Sequence, residues 1–301
     1  MTTIHYDSTL SDDERRARLY AGDLFVYGPT DSSRKLVELA REMVAGAFGS
    51  LDPEHAQFHM PVERYAQILA QLKPAFIHHP RCKELLPALL QELGCDPQLT
   101  YFDVPRMRTA TSDGYLSTGI AYAFHPHRDT WYSAPFCQIN WWMPMFPISH
   151  DNCMAFHPQH WSQPLPNTSA EYNYQEWNRM SRFQAAAQIG ADTRKQPRAT
   201  QPVVADPQVR LLPPVGGVIV FSAAQLHSTV PNTSGRTRYS IDFRTVNLHD
   251  VRTQSGAPNI DSFCTGSTMN DYLSCTDLAH LPGEATAPYE AGHPQAVISA
   301  R

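Results

Sequence analysis

Along the first hundred residues, apolar side chains recur at helical spacing. Between Arg34 and Gly49, Leu36, Val37, Ala40, Val44, Ala47 and Phe48 fall on one side of a 3.6-residue repeat, after the capping candidates Asp31, Ser32 and Ser33. A second helix opens at Pro61 and carries Val62, Tyr65, Ile68, Leu69 and Leu72. A third carries Leu85, Leu86, Leu89, Leu90 and Leu93 up to Gly94, with Pro87 interrupting its start. From Tyr101 the repeat shortens. Brief β-compatible runs between Pro, Gly, Asn and Asp predict strands at Thr118–Phe124, Cys137–Met143, Cys153–Phe156, Val218–Phe221 and Thr237–Val246. Helices first and antiparallel strands afterwards predict a mainly β fold, a sheet sandwich with flanking helices.

The pattern divides a single domain, 1–301, into a helical front of about 1–100, a strand-rich core of about 101–248 and an irregular extension, 249–301, rich in Gly, Ser, Thr and Pro. Within the core, residues 157–214 carry many Gln, Asn, Ala and Pro and no periodicity. Such an insertion either wraps the surface or covers an active site.

Composition narrows the function classes. A chain of 301 residues, 42% hydrophobic, buries a sizeable core. Its 24 basic residues against 29 acidic ones, a formal charge of -5, argue against a general nucleic-acid binder. The 6 cysteines show no paired CxxC spacing, which fits a reducing cytosol. No apolar run is long enough to span a membrane, so a cytoplasmic protein without a transmembrane segment is expected.

Candidate chemistry sits in HPHRDTW, His125 to Trp131. If this segment runs extended, His127 and Asp129 share one face. His227 follows an apolar strand in GGVIVFSAAQLHSTV and supplies a third ligand type, completing a 2-His-1-carboxylate set suited to Fe(II). Zinc accepts the same donors. In RTRYSIDFR, Arg236, Arg238, Ser240, Asp242 and Arg244 alternate with Tyr239, Ile241 and Phe243. A polar row opposite an aliphatic and aromatic one points to a ligand, and Arg238 with Ser240 is suited to a carboxylate. A structural alternative pairs Arg238 with Asp242 along the strand.

These elements resemble the iron(II)- and 2-oxoglutarate-dependent oxygenases, in the phytanoyl-CoA hydroxylase-like branch. The family's HxD corresponds to His127 and Asp129, its distal histidine to His227, the following Asn and Ser to Asn232 and Ser234, and its RxS element to Arg238 and Ser240, with Phe243 and Arg244 closing the pattern. Gly216 and Gly217 match only loosely, and the family's Pro-Gly-Ser-His loop is altered here to DNCMAFHPQHW. The resemblance spans roughly Thr118 to Leu248.

It implies a double-stranded β-helix (jelly roll, cupin-like) with Fe(II) held by His127, Asp129 and His227. By the same resemblance 2-oxoglutarate meets Arg238 and Ser240 through its distal carboxylate, Gln138 and Asn140 contact its iron end, and dioxygen is the cosubstrate. The implied reaction is hydroxylation of an unactivated C–H. Asp129 stands where related halogenases carry a small residue, which favours hydroxylation over chlorination. Members of the branch act on lipids, amino acids, sugars and secondary metabolites. Arg106, Arg108, Arg128, Arg194, Lys195 and Arg198 suit an anionic substrate if they ring the entrance, and the Kdo sugar of lipopolysaccharide is one such expectation, bringing peripheral contact with the cytoplasmic face of a membrane. A cupin-like zinc or manganese isomerase or hydrolase, and a non-catalytic sandwich that binds a sugar or protein, remain open on the sequence.

Overall fold

The computed structural model describes residues 2–290. A capping box between Ser11 and Glu14 starts α1 (Asp12–Tyr20), which lies between β1 (Ile4–Tyr6) and β2 (Leu24–Tyr27) in the chain. Thr30 and Ser33 form a second capping box for α2 (Asp31–Phe48), which buries Leu36, Val37, Ala40 and Val44 and stops at Gly49, φ +64°. Then come α3 (Val62–Ile77) and α4 (Pro80–Glu92). Pro87 lies inside α4 without ending it, because the carbonyl it deprives of a partner belongs to the exposed Lys83.

The later elements are β3 (Thr100–Phe102), β4 (Arg106–Ala110), β5 (Ile139–Pro144), β6 (Met154–Phe156), α5 (Tyr174–Met180), β7 (Val209–Arg210), β8 (Val218–Ser222), β9 (His227–Thr229), β10 (Arg238–Asn247), α6 (Leu248–Thr253), β11 (Leu273–Ser274) and α7 (Gly283–Glu290). The main sheet runs β1-β2-β8-β5-β10-β3-β11, with β4 beside the first half of β10. Only β1 and β2 pair in parallel. A small antiparallel sheet, β7-β6-β9, is separate.

Side-chain alternation gives the main sheet two different faces. Tyr239, Ile241 and Phe243 of β10, Trp141 and Met143 of β5, and Val218 and Val220 of β8 pack with α2, α3 and α4 in one cluster. On the other face Trp142, Ile219 and Phe221 meet Met154 and Phe156 of the small sheet. The gap between the two sheets is where β10 turns its polar row. Trp141 and Trp142 are thus divided between helical core and inter-sheet gap, as adjacent strand residues must be.

The expectation of a mainly β, jelly-roll or cupin-like fold is corrected by these features. Of the described residues 36% are helical and 18% strand, and the main sheet ends at β1 and β11 without closing on itself. One cause is visible at Thr118–Phe124, expected as a strand, where the chain forms a 3-10 turn at Gly119–Ala121 and then loop. Gly119 has φ +59°, and a Cβ there would lie 2.3 Å from the Ala185 carbonyl oxygen. Its backbone groups are satisfied by the 157–214 segment rather than by a ladder: Gly119 N–H donates to Asp192 Oδ2 (3.2 Å) and its carbonyl accepts from Arg194 Nη2 (3.3 Å), while the neighbouring Thr118 hydroxyl donates to the Gln188 carbonyl (2.8 Å). The other expected strands appear as β5, β6, β8 and β10 with ends shifted by one or two residues. After Asn247 the chain adds α6, β11 and α7, and residues 291–301 of the expected extension lie outside the described residues.

Candidate metal centre and its pocket

His127 and His227 face each other through reciprocal backbone bonds, His127 N–H to the His227 carbonyl and the reverse, both 3.0 Å. Such a pair holds the two Cα atoms about 5.5 Å apart with side chains on one face. Arg128 is extended (φ -110°, ψ 141°), so the next side chain, Asp129, returns to the face of His127. Asp129 itself begins a 3-10 turn anchored by its N–H to the Ala223 carbonyl (2.9 Å). One ligand-type atom from each of the three side chains lies within 4.8 Å of the others. Asp129 Oδ1 is 3.4 Å from His127 Nε2 and 3.9 Å from His227 Nε2.

The outer nitrogens are already committed. His127 Nδ1 sits 2.8 Å from the His125 carbonyl and His227 Nδ1 2.9 Å from the Gln225 carbonyl. A carbonyl accepts only, so each Nδ1 carries the proton and each Nε2 presents a lone pair toward Asp129. Burial, then the neighbouring His127, pushes His227 down to about 3, which keeps it neutral at pH 7. For Asp129 burial pushes upward, but contact with the His127 ring and the charge of Arg244 outweigh it and hold the carboxylate well below its usual range.

Gln138 and Asn140 stand behind this carboxylate. Asn140 Nδ2 donates to Asp129 Oδ2 (2.9 Å), Gln138 Nε2 donates to Asn140 Oδ1 (2.8 Å), and the Tyr272 hydroxyl donates to Gln138 Oε1 (2.7 Å). Both amides also line the pocket. This chain leaves Oδ1 of Asp129 free to face the imidazoles.

The triad opens into a pocket of about 370 Å³ that Arg238 also lines. Arg238 is 5% exposed, stacks over Trp142 at 5.4 Å, and its Nε and Nη1 have no hydrogen-bond partner among the described residues; neither does buried Ser240 Oγ. The pairing of Arg238 with Asp242 does not form, because Arg108 takes Asp242 with Nε–Oδ1 at 2.5 Å and Nη2–Oδ2 at 3.1 Å. Burial lowers Arg238 to about 10, with repulsion from Arg108 adding to the shift.

Of the other candidates, Arg106, Arg108 and Arg194 line the pocket. Arg128 instead points away and is buried, donating to the carbonyls of Ala224 (2.5 Å) and His160 (2.6 Å) beside Asp261. Lys195 and Arg198 are exposed. His157 is held by Ala205 and Ser228, and His160 by Val204. Asn232 and Ser234 bond each other in the turn before β10 (2.7 Å). Sequence reasoning did not single out Tyr272, Arg244 as a partner of Asp129 (3.7 Å), or the pocket walls Tyr172 and Trp177. The signal for the last two was a cluster of aromatics, Tyr172, Tyr174 and Trp177, inside a mostly polar insertion.

No known family profile and no curated protein matches the chain. Among solved structures it is similar to the apo non-heme monooxygenase ThoJ, at 13% identity over 77% of each chain with a TM-score of 0.42. It is similar to EvdO2 from Micromonospora carbonacea var. aurantiaca complexed with 2-oxoglutarate, at 13% identity, 80% of this chain, 92% of that one and a TM-score of 0.44. A third is the epimerase SnoN in complex with Fe3+, alpha ketoglutarate and nogalamycin RO, at 15% identity, 79% of this chain, 85% of that one and a TM-score of 0.40. Similarity at this level leaves the chemistry to be read from the residues of the site. No helix among the described residues is long and apolar enough to cross a membrane.

Proposed function

We propose that this chain is an Fe(II)- and 2-oxoglutarate-dependent oxygenase that hydroxylates an unactivated C–H bond of a small polar or amphiphilic substrate. The observation that carries the reading is the buried, partnerless guanidinium of Arg238 with the partnerless Ser240 hydroxyl, in the pocket that also holds the triad. An unpaired buried cation is costly, and a carboxylate at that end relieves the cost. The donor set of two neutral imidazoles and one carboxylate fits Fe(II), held by His127 Nε2, His227 Nε2 and Asp129 Oδ1. Arg238 and Ser240 receive the distal carboxylate of the diacid. Gln138 and Asn140 orient Asp129, and that is the role we assign them.

Iron and 2-oxoglutarate, when bound, supply the oxidising chemistry, in which dioxygen converts the diacid to succinate and carbon dioxide while one oxygen atom enters the substrate. The protein positions the reactants and keeps water out. The half-buried Tyr132 and the buried Tyr172 in the pocket wall serve the second purpose.

A zinc or manganese enzyme built on the same triad leaves Arg238 and Ser240 without a role, and a non-catalytic sandwich leaves both sets idle. The test is anaerobic addition of 2-oxoglutarate to the Fe(II)-loaded protein, expected to raise the weak visible metal-to-ligand charge-transfer absorption of a chelated 2-oxo acid. A folded, iron-loaded protein without that absorption refutes the proposal.

A further inference from the structure

Six aromatic side chains form an unbroken wall next to the candidate metal centre. Trp177 contacts Tyr172 (ring centroids 5.9 Å), Tyr172 contacts Tyr132 (5.5 Å), Tyr132 contacts His127 (5.5 Å), His127 stacks on Phe124 (5.0 Å, 26°), and Phe124 meets Tyr122 edge-on (4.9 Å). All six line the pocket. The hydroxyls of Tyr122 and Tyr172 have no hydrogen-bond partner among the described residues.

The cations around this wall are mostly spent on the protein itself. Arg108 is held by Asp242 at 2.5 Å, Arg194 by Asp192 at 2.6 Å, and Arg106 bonds Asp103. Arg244 lies 3.3 Å from Asp103 and 3.7 Å from Asp129. Two of these pairs also sit on the wall: Arg108 lies over Phe124 at 5.4 Å and Arg194 over Trp177 at 5.2 Å. Of the remaining cations, Arg238 belongs to the diacid, Arg182 is exposed and bonded to Asn178, and Lys73 donates to the Ile120 carbonyl. A substrate acid group near the metal therefore finds Arg106, Arg108, Arg194 and Arg244 already paired with carboxylates, and only Lys73 and the exposed Arg182 bonded to neutral groups, while an apolar ring finds a wall of alternating ring faces and edges with two free hydroxyls.

We propose that the pocket takes an uncharged, ring-bearing substrate that lies with its apolar face on the wall from Trp177 to Phe124 and bonds the hydroxyls of Tyr122 and Tyr172. The proposal rests on the oxygenase reading for its place in the reaction, but the recognition it describes is independent of iron. It departs from the anionic sugar expected on resemblance, since of the cations that suggested an acid, those lining the pocket, Arg106, Arg108 and Arg194, are paired with carboxylates in place, and Arg128, Lys195 and Arg198 do not line it. An aromatic ring and a sugar ring share the required chemistry of a flat apolar face with hydroxyls at its rim.

Titration calorimetry on the metal-free protein tests it with three probes: 2-naphthol for the aromatic source, methyl β-glucoside for the sugar source and 2-naphthoate for the anion. At least one uncharged probe is expected to bind about tenfold or more tightly than 2-naphthoate measured on Arg238→Ala, where the diacid site is disabled, and to lose at least about fivefold in affinity in Trp177→Ala. Tyr172→Phe, which removes only a hydroxyl, covers the case in which Trp177→Ala does not fold and is expected to weaken binding severalfold. The proposal is overturned if 2-naphthoate binds Arg238→Ala as tightly as the uncharged probes, if no uncharged probe binds, or if the folded wall variants leave the affinity unchanged. The charge-transfer absorption of iron and 2-oxoglutarate is expected to persist in Trp177→Ala. Its loss from the unaltered protein would instead count against the oxygenase reading, so the two failures are separable.

Discussion

Replacing Arg238 by Met removes the guanidinium while keeping an unbranched side chain of similar reach. In the folded protein this cation is 5% exposed and its Nε and Nη1 are partnerless. Burial lowers it to about 10 from a usual value above 12, and at ~1.4 kcal/mol per pH unit the charged form is disfavoured by ~3 kcal/mol. The shift is that of a base lowered by folding, so the cost is present at every pH below about 10, neutral pH included. Stacking on Trp142 at 5.4 Å recovers ~1 kcal/mol of it. Arg238→Met should therefore leave the metal-free protein as stable as before or stabilise it by ~1–2 kcal/mol. Its effect on the cosubstrate is opposite in sign. Two hydrogen bonds to a charged acceptor contribute ~1.5–3 kcal/mol each, so 2-oxoglutarate affinity should fall by ~100-fold or more. Denaturant unfolding of the metal-free protein measures the first effect, and anaerobic calorimetric titration of 2-oxoglutarate into the Fe(II)-loaded protein measures the second. A loss of stability above ~1 kcal/mol with less than a tenfold change in affinity would show Arg238 to be a structural cation, and the assignment of its end of the pocket would fall.

Three further outcomes follow from the same geometry. Asn140→Ala removes the 2.9 Å bond to Asp129 Oδ2 and should weaken Fe(II) or Mn(II) binding by ~10- to 100-fold in a competition assay, whereas an unchanged affinity would mean that the carboxylate needs no support. Phe243→Ala empties a fully buried position stacked on Trp141 at 5.8 Å beneath the helices, and should cost ~3–5 kcal/mol in denaturant unfolding; a loss below ~1 kcal/mol would contradict the packing described. Burial, reinforced by Arg108, lowers Lys73 to about 7, so above that pH the unfolded chain binds the proton that the folded chain has released. That contribution makes stability rise as pH climbs from 7 toward the ordinary lysine range, and Lys73→Met should remove the rise from melting curves collected across that window. An identical pH profile in the variant would place the amine in solvent.

The polar row of β10 was legible in the sequence because alternation along a strand is a local property: once RTRYSIDFR is extended, Arg238 and Ser240 must share a face away from Tyr239, Ile241 and Phe243. The histidines and Asp129 were legible as ligand types, and extended backbone at Arg128 placed His127 and Asp129 together as the spacing predicts. The jelly roll was not correct, since strand closure and helix content depend on which segments find partners, and in the Thr118–Phe124 run the Gly119 backbone and the Thr118 hydroxyl bond a distant loop while the following residues turn on themselves.

Composition and short-range periodicity thus determined the helical front, most of the long strands and the donors of the candidate centre. Tertiary structure alone decided that Asp242 belongs to Arg108 and leaves Arg238 free, that Arg128 is buried away from the pocket, and that an insertion without periodicity supplies Tyr172 and Trp177 to the wall. The physical reason is range. Backbone sterics and side-chain alternation act over a few residues and can be read along the chain, whereas an ion pair or a ring contact depends on distances set by the packing of segments far apart in sequence.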